Sequence, residues 1–95
     1  MSGIRPESTD VTATLFRGSG ILHSLSVAAN GGASNAQIYD GVSANGKLIF
    51  NIGLLDGAGF SPYLASGLQI SHGIHVVCAD ANIQVTVGFT NDGIQ

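Results

Sequence analysis

Asn30-Gly31, Asp40-Gly41, Asn45-Gly46, Asp56-Gly57 and Asp92-Gly93 divide the chain into short apolar runs, and no other feature restricts its possible folds so strongly. Asn-Gly and Asp-Gly reach the positive φ angles that tight hairpin turns require, so such pairs between apolar runs mark β-hairpins. The run IQVTVGF carries the strand signal itself. Ile83, Val85, Val87 and Phe89 share one face and Gln84, Thr86 and Gly88 the other, a period of two that only a strand produces. Residues 83–90 are therefore expected to form a half-buried strand. The same alternation predicts strands through Val11, Ala13 and Leu15; through Ile21, His23, Leu25 and Val27; through Ala36 and Ile38; through Leu48, Phe50 and Ile52; and through Leu68 with Ile70 and Ile74 with Val76.

No segment keeps apolar residues at helical spacing, and each glycine inside a helix would cost about 1 kcal/mol. The expectation is an all-β fold: a small antiparallel β-sandwich, jelly-roll-like, of about seven short strands. Leu55 to Gly67 lacks alternation and contains Pro62, which a central strand cannot hold, so it reads as a long loop crossing between sheets. Its Phe60, Tyr63 and Leu64 need somewhere to pack. Met1 to Thr9 is polar, carries a proline and shows no alternation. The expected organisation is an extended N-terminal arm, residues 1–9, before a single sandwich domain, residues 10–95.

Composition narrows the function. Only 9% of the 95 residues are charged, against about 25% in ordinary soluble domains, and the net charge is −3. With Arg5, Arg17 and Lys47 as the basic residues, the chain has no cluster that would bind nucleic acid or an anionic membrane, and neither partner is expected. No apolar run approaches the ~20 residues of a membrane span, and MSGIRPESTD lacks the profile of a signal peptide, so synthesis in a cytoplasm is expected. Cys78, the single cysteine, reads as a small buried hydrophobe.

The stretch SHGIHVVCAD raises the possibility of a metal site, with His72, His75 and Cys78 three residues apart. On a strand that spacing turns His75 away from the other two and leaves His72 and Cys78 roughly 20 Å apart, so the three cannot converge. His23 could meet His75 across the sandwich as a pH-sensitive pair, but a histidine at the strand margin with its ring packed and one nitrogen wet is the favoured reading. The Asp-Gly and Asn-Gly turns lack the spacing of a calcium loop. RGSG around Ser19 is not a nucleophile elbow, and no paired carboxylates stand at catalytic spacing. No catalytic residue, metal ligand or cofactor is expected.

The run GILHSLSVAANGGASNAQIYDGVSANGKLIF, followed by SPYLASGLQISHGIHVVCADANIQVTVGF, resembles small structural proteins of phage virions. The pieces that carry the resemblance are Gly20 to His23, Tyr39 to Gly41, Gly73 to Val76 and Val85 to Val87. It implies a non-enzymatic capsid decoration or cement protein of β-sandwich type on the virion surface. Its partner would be the major capsid protein, and assembly as a homotrimer would follow, since such proteins commonly occupy three-fold positions. The N-terminal arm would then attach to a neighbour, with Ile4 as apolar anchor and Arg5 and Glu7 as rim contacts. A tail or fibre module recognising a host-surface carbohydrate is the alternative.

Overall fold

A computed structural model describes residues 5–62, 64 and 67–91, and these contain nine β-strands. They are β1 (Arg5–Thr9), β2 (Ala13–Arg17), β3 (Gly20–Ala29), β4 (Ser34–Asp40), β5 (Lys47–Leu54), β6 (Gly59–Phe60), β7 (Leu68–Ile70), β8 (Gly73–Cys78) and β9 (Ile83–Asn91). The strands form two sheets. One runs β1-β9-β3-β6, with β7 also on β3; the other runs β2-β8-β4-β5. All pairings are antiparallel. The chain is thus the expected all-β sandwich, with two more strands than alternation marks.

The pairing follows a nested order. β4 pairs with β5, β3 with both β6 and β7, β2 with β8, and β1 with β9. The chain is one long antiparallel ribbon with the β4–β5 turn at its tip. Two further ladders, β9 on β3 and β8 on β4, wrap that ribbon into two layers.

The inner faces supply the core. Leu22, Leu25 and Val27 of β3 and Ile83, Val85, Val87 and Phe89 of β9 meet Ala36 and Ile38 of β4, Ile52 of β5, Ile70 of β7 and Ile74 and Val76 of β8. Most are completely shielded, and burial of each large side chain stabilises the fold by about 1.5–3 kcal/mol. Phe16 tilts onto Phe89 with ring centroids 4.7 Å apart and closes one end. Among the described residues no buried polar side-chain atom lacks a hydrogen-bond partner.

Three bulges decide which residues face inward. On β3, Leu22 stands opposite Phe89 and Ser24 opposite Gly88, so His23 is an extra residue. That insertion overturns the simple alternation expected there: Leu22, Leu25 and Val27 point to the core, whereas Ile21 stands opposite Thr90 on the outer face. Leu15 is the extra residue of β2 and Ile49 that of β5. Val11, expected on a strand, lies in the bend between β1 and β2 and is 58% exposed. The crossing after β5 does carry the chain to the other sheet, but it contains β6, whose Val27 to Phe60 pairing alternation could not reveal. Leu64 packs on the core, and Tyr63 lies outside the described residues.

The stretch expected as an extended attachment arm folds back onto its own domain over its described residues. From Arg5 onward it is strand β1, paired with β9 from Arg5 opposite Phe89 to Thr9 opposite Val85. Pro6, which has no N–H to donate, is tolerated because β1 is an edge. Removing residues 1–9 should therefore strip an edge strand from β9 and lower the thermal midpoint of the isolated domain by more than about 5 °C, measured by circular dichroism.

Candidate functional site

His72, His75 and Cys78 take up three separate positions. His72 lies in the turn between β7 and β8 with its side chain 77% exposed. His75 stands on the outer face of β8, its Nδ1 2.8 Å from the Thr14 hydroxyl. Cys78 packs against the core, and its thiol is pushed up from its ordinary pKa by burial and by the negative charges of Asp10 and Asp80. A thiol so placed is a poor nucleophile at neutral pH. Among the described residues no three His, Cys, Asp or Glu side chains come together as a metal ion would need. His23 does not meet His75: its Nε2 bonds the Thr90 hydroxyl at 2.9 Å on the outer face of the other sheet.

A concentrated polar arrangement stands at Asp40, the last residue of β4. Its carboxylate accepts the backbone N–H of Ser71 at 3.0 and 3.1 Å and that of His72 at 2.8 Å. The carboxylate thereby fixes the β7–β8 turn to the end of β4, while Gly41 N–H donates to the Gly73 carbonyl at 3.1 Å beside it. Burial raises the Asp40 pKa, but the Ser71, His72 and Gly73 N–H groups and the nearby His72 together outweigh it and hold the group below its ordinary value.

Around this clasp lies an open cleft of about 660 Å³, lined by residues 40–43, 45–47, 69, 71 and 72. His72 Nδ1 is 3.9 Å from Asp40 Oδ1, too far for a hydrogen bond. The carboxylate is occupied by the backbone, so it is a structural element here and not a general base.

Asp40 carries a pH dependence with a defined sign. Its folded pKa is below the ordinary 3.8, so its stabilisation is complete above that value and is lost as pH falls through the lowered folded value. Asp40→Asn should cost about 1–3 kcal/mol at pH 7, because an amide places N–H against N–H. The difference in midpoint between wild type and variant should shrink below about pH 4, and calorimetry over that range checks it.

The outer faces have a character of their own. On the second sheet a row crosses all four strands: Thr14 opposite His75, His75 opposite Tyr39, and Tyr39 opposite Leu48. The Tyr39 and His75 rings are 6.4 Å apart. The next row includes Val77, Gln37 and Asn51, with Gln37 Nε2 donating to Asn51 Oδ1 at 3.0 Å. On the first sheet the outer face is lined with hydroxyls. Ser8 bonds Thr86 at 3.2 Å, Gln84 donates to Ser8 at 3.0 Å, and Ser26 stands opposite Thr86 on the other side. None of these rows carries a formal charge at neutral histidine.

Of the three expected contact residues, Ile4 lies outside the described residues. Arg5 is opposite Phe89 in the β1–β9 ladder. Glu7 is opposite Val87 and half-buried, on the core side of the edge strand and away from the hydroxyl face. The prominent positions of the outer rows, Tyr39 and His75, and the Asp40 clasp were not singled out by sequence reasoning as a surface. In the sequence Asp40 reads as half of an Asp-Gly turn, and the signal for its second role is that Ser71-His72-Gly73 is itself a turn needing an acceptor. Comparison with family models, curated proteins and solved structures gave no match.

Proposed function

We propose that the protein is a non-enzymatic structural component of a phage virion: a decoration or cement protein that binds the major capsid protein on the head after synthesis in the host cytoplasm. The observation that carries this reading is the uncharged character of the central outer rows of both sheets, with the charge of Arg17 confined to the end of β2, since depletion of charge marks the centres of protein interfaces. The nested pairing supports it. With β6 and β7 taken as one interrupted strand, the orders β1-β9-β3-β6/β7 and β2-β8-β4-β5 are those of an eight-stranded jelly roll, an architecture used by capsid and lectin domains alike. The resemblance of the strand and turn motifs to small virion proteins points the same way.

The test is binding to heads. Purified protein mixed with heads stripped of small proteins should co-sediment at saturable, stoichiometric occupancy. Failure to bind heads while binding whole particles at the tail would reverse the assignment. A second reading, recognition of a host-surface carbohydrate, is favoured by Tyr39 and His75 side by side on an exposed face. Specific signals on a glycan array, lost in Tyr39→Ala, would establish it in place of the first.

A further inference from the structure

The sandwich has four lateral edges, and they differ sharply in how well they are blocked against pairing with another chain. β1 carries Pro6 and turns Glu7 toward the core side. β2 is five residues long and interrupted by the bulge at Leu15. β6 and β7 offer two and three residues. β5 is the exception: it has eight residues, and beyond the bulge at Ile49 the stretch Phe50 to Leu54 is a regular ladder with one side unpaired among the described residues. It contains no proline, and its only charge is Lys47 at the first position.

A second observation falls on the same edge. Of the five exposed large hydrophobics, Leu48 (48%) lies on β5, Leu55 (75%) directly follows it, and Phe60 (37%) sets its ring 6.3 Å from that of Phe50. Among the described residues the other two are Val11, before β2, and Val42, in the turn between β4 and β5, whose carbonyl accepts from Thr14 of β2 at 3.1 Å. One flank of the sandwich thus combines an open ladder with an apolar rim.

We infer that β5 is a self-association edge, and that two copies pair their β5 strands antiparallel about a two-fold axis through Ile52, making one continuous sheet of eight strands. The register is self-complementary. Ile52 meets its own copy, and Phe50 meets the second copy's Leu54, with all of these on the core side. Asn51 meets the second copy's Gly53 on the outer side. The extra residue Ile49 then shifts the ladder so that exposed Leu48 falls opposite exposed Leu55 of the second copy, and the ladder ends there, because Asp56 turns away with its Oδ1 accepting the Gly31 N–H at 3.0 Å. Antiparallel pairing about an isologous two-fold uses the same patch twice and closes, so it forms a dimer without fibres. Main-chain hydrogen bonds supply the attraction, as in strand addition generally, and the leucines set the register. This inference is independent of the virion reading, and it replaces the three-fold assembly that the resemblance implies with a two-fold one.

The experiment combines mass and register on the full chain. Sedimentation equilibrium at high micromolar concentration should give twice the chain mass. Leu55→Lys, a change at an exposed position, should leave the circular dichroism spectrum intact and weaken the dimer by at least about tenfold, because it sets a lysine beside Leu48 and Lys47 of the second copy. In a Cys78→Ala background, Asn51→Cys mixed with Gly53→Cys should form a disulfide dimer on oxidation, whereas either variant alone should form far less. A monomer, a trimer, a dimer indifferent to Leu55→Lys, or cross-linking no greater in the mixture than in its components would each overturn the inference.

Discussion

Val85→Asp is expected to abolish soluble folding, and Thr86→Asp to leave the fold standing. The two positions are neighbours on β9 with opposite fates: Val85 is fully shielded between the sheets, while Thr86 is exposed on the outer face, where it bonds Ser8 at 3.2 Å. A carboxylate at 85 would enter a cluster of Leu, Ile, Val and Phe with no partner in reach. Burying a charge unpaired costs several kcal/mol, comparable with the whole stability of about 5–15 kcal/mol for a domain of this kind. At 86 the change removes one exposed hydroxyl bond, worth about 1 kcal/mol or less. Soluble yield and the near-ultraviolet spectrum separate the two variants. Equal behaviour would mean that β9 presents its other face to the core.

The second large effect is expected at Gly73, the first residue of β8. Its φ is +150°, a region that residues with a side chain rarely adopt, and an added Cβ would lie 2.5 Å from the Phe16 carbonyl oxygen and 2.9 Å from that of Gly41. Both obstacles are backbone atoms, so relief requires shifting β2 or the start of the β4–β5 turn, whose Gly41 N–H donates to the Gly73 carbonyl at 3.1 Å. Gly73→Ala should therefore cost about 3 kcal/mol or more and lower the thermal midpoint by at least about 12 °C. Gly53→Ala is the control. A Cβ there meets nothing within 4 Å, so the midpoint should stay within about 4 °C of wild type or rise slightly as the unfolded chain loses freedom. Calorimetry of the pair checks both.

How much of this was legible beforehand depends on what holds each strand in place. β9 could be read without error because its signal is burial: Ile83, Val85, Val87 and Phe89 alternate in the sequence and all face the core. β4 and β8 behave alike. β3 was read only in part, since the extra residue His23 changes the face on which Ile21 falls, and a bulge leaves no mark in a hydropathy pattern. β1 and β6 carry no apolar alternation. RPEST and Gly59–Phe60 join the first sheet through backbone hydrogen bonds to β9 and β3, which any sequence can make once the neighbouring strand exists.

The surface was legible in kind but not in place. The scarcity of charge predicts uncharged faces, and the outer rows are uncharged. Which residues form those rows depends on register, because Thr14, His75, Tyr39 and Leu48 come from four separate strands. The expected contact set of Ile4, Arg5 and Glu7 rested on reading Met1 to Thr9 as an arm. The Pro and the lack of alternation that suggested an arm equally suit an edge strand, where one face needs no apolar residues and the outer N–H positions need no partner.

The central proposal, that the uncharged outer rows serve attachment to a virion head, is tested most directly by an electron cryomicroscopic reconstruction of particles purified from cells that express the protein. The account predicts two-layered β-sandwich density on the outer head surface, into which the chain fits with one outer sheet face against the major capsid protein. Heads without such density, or its presence only at the tail tip, would contradict it.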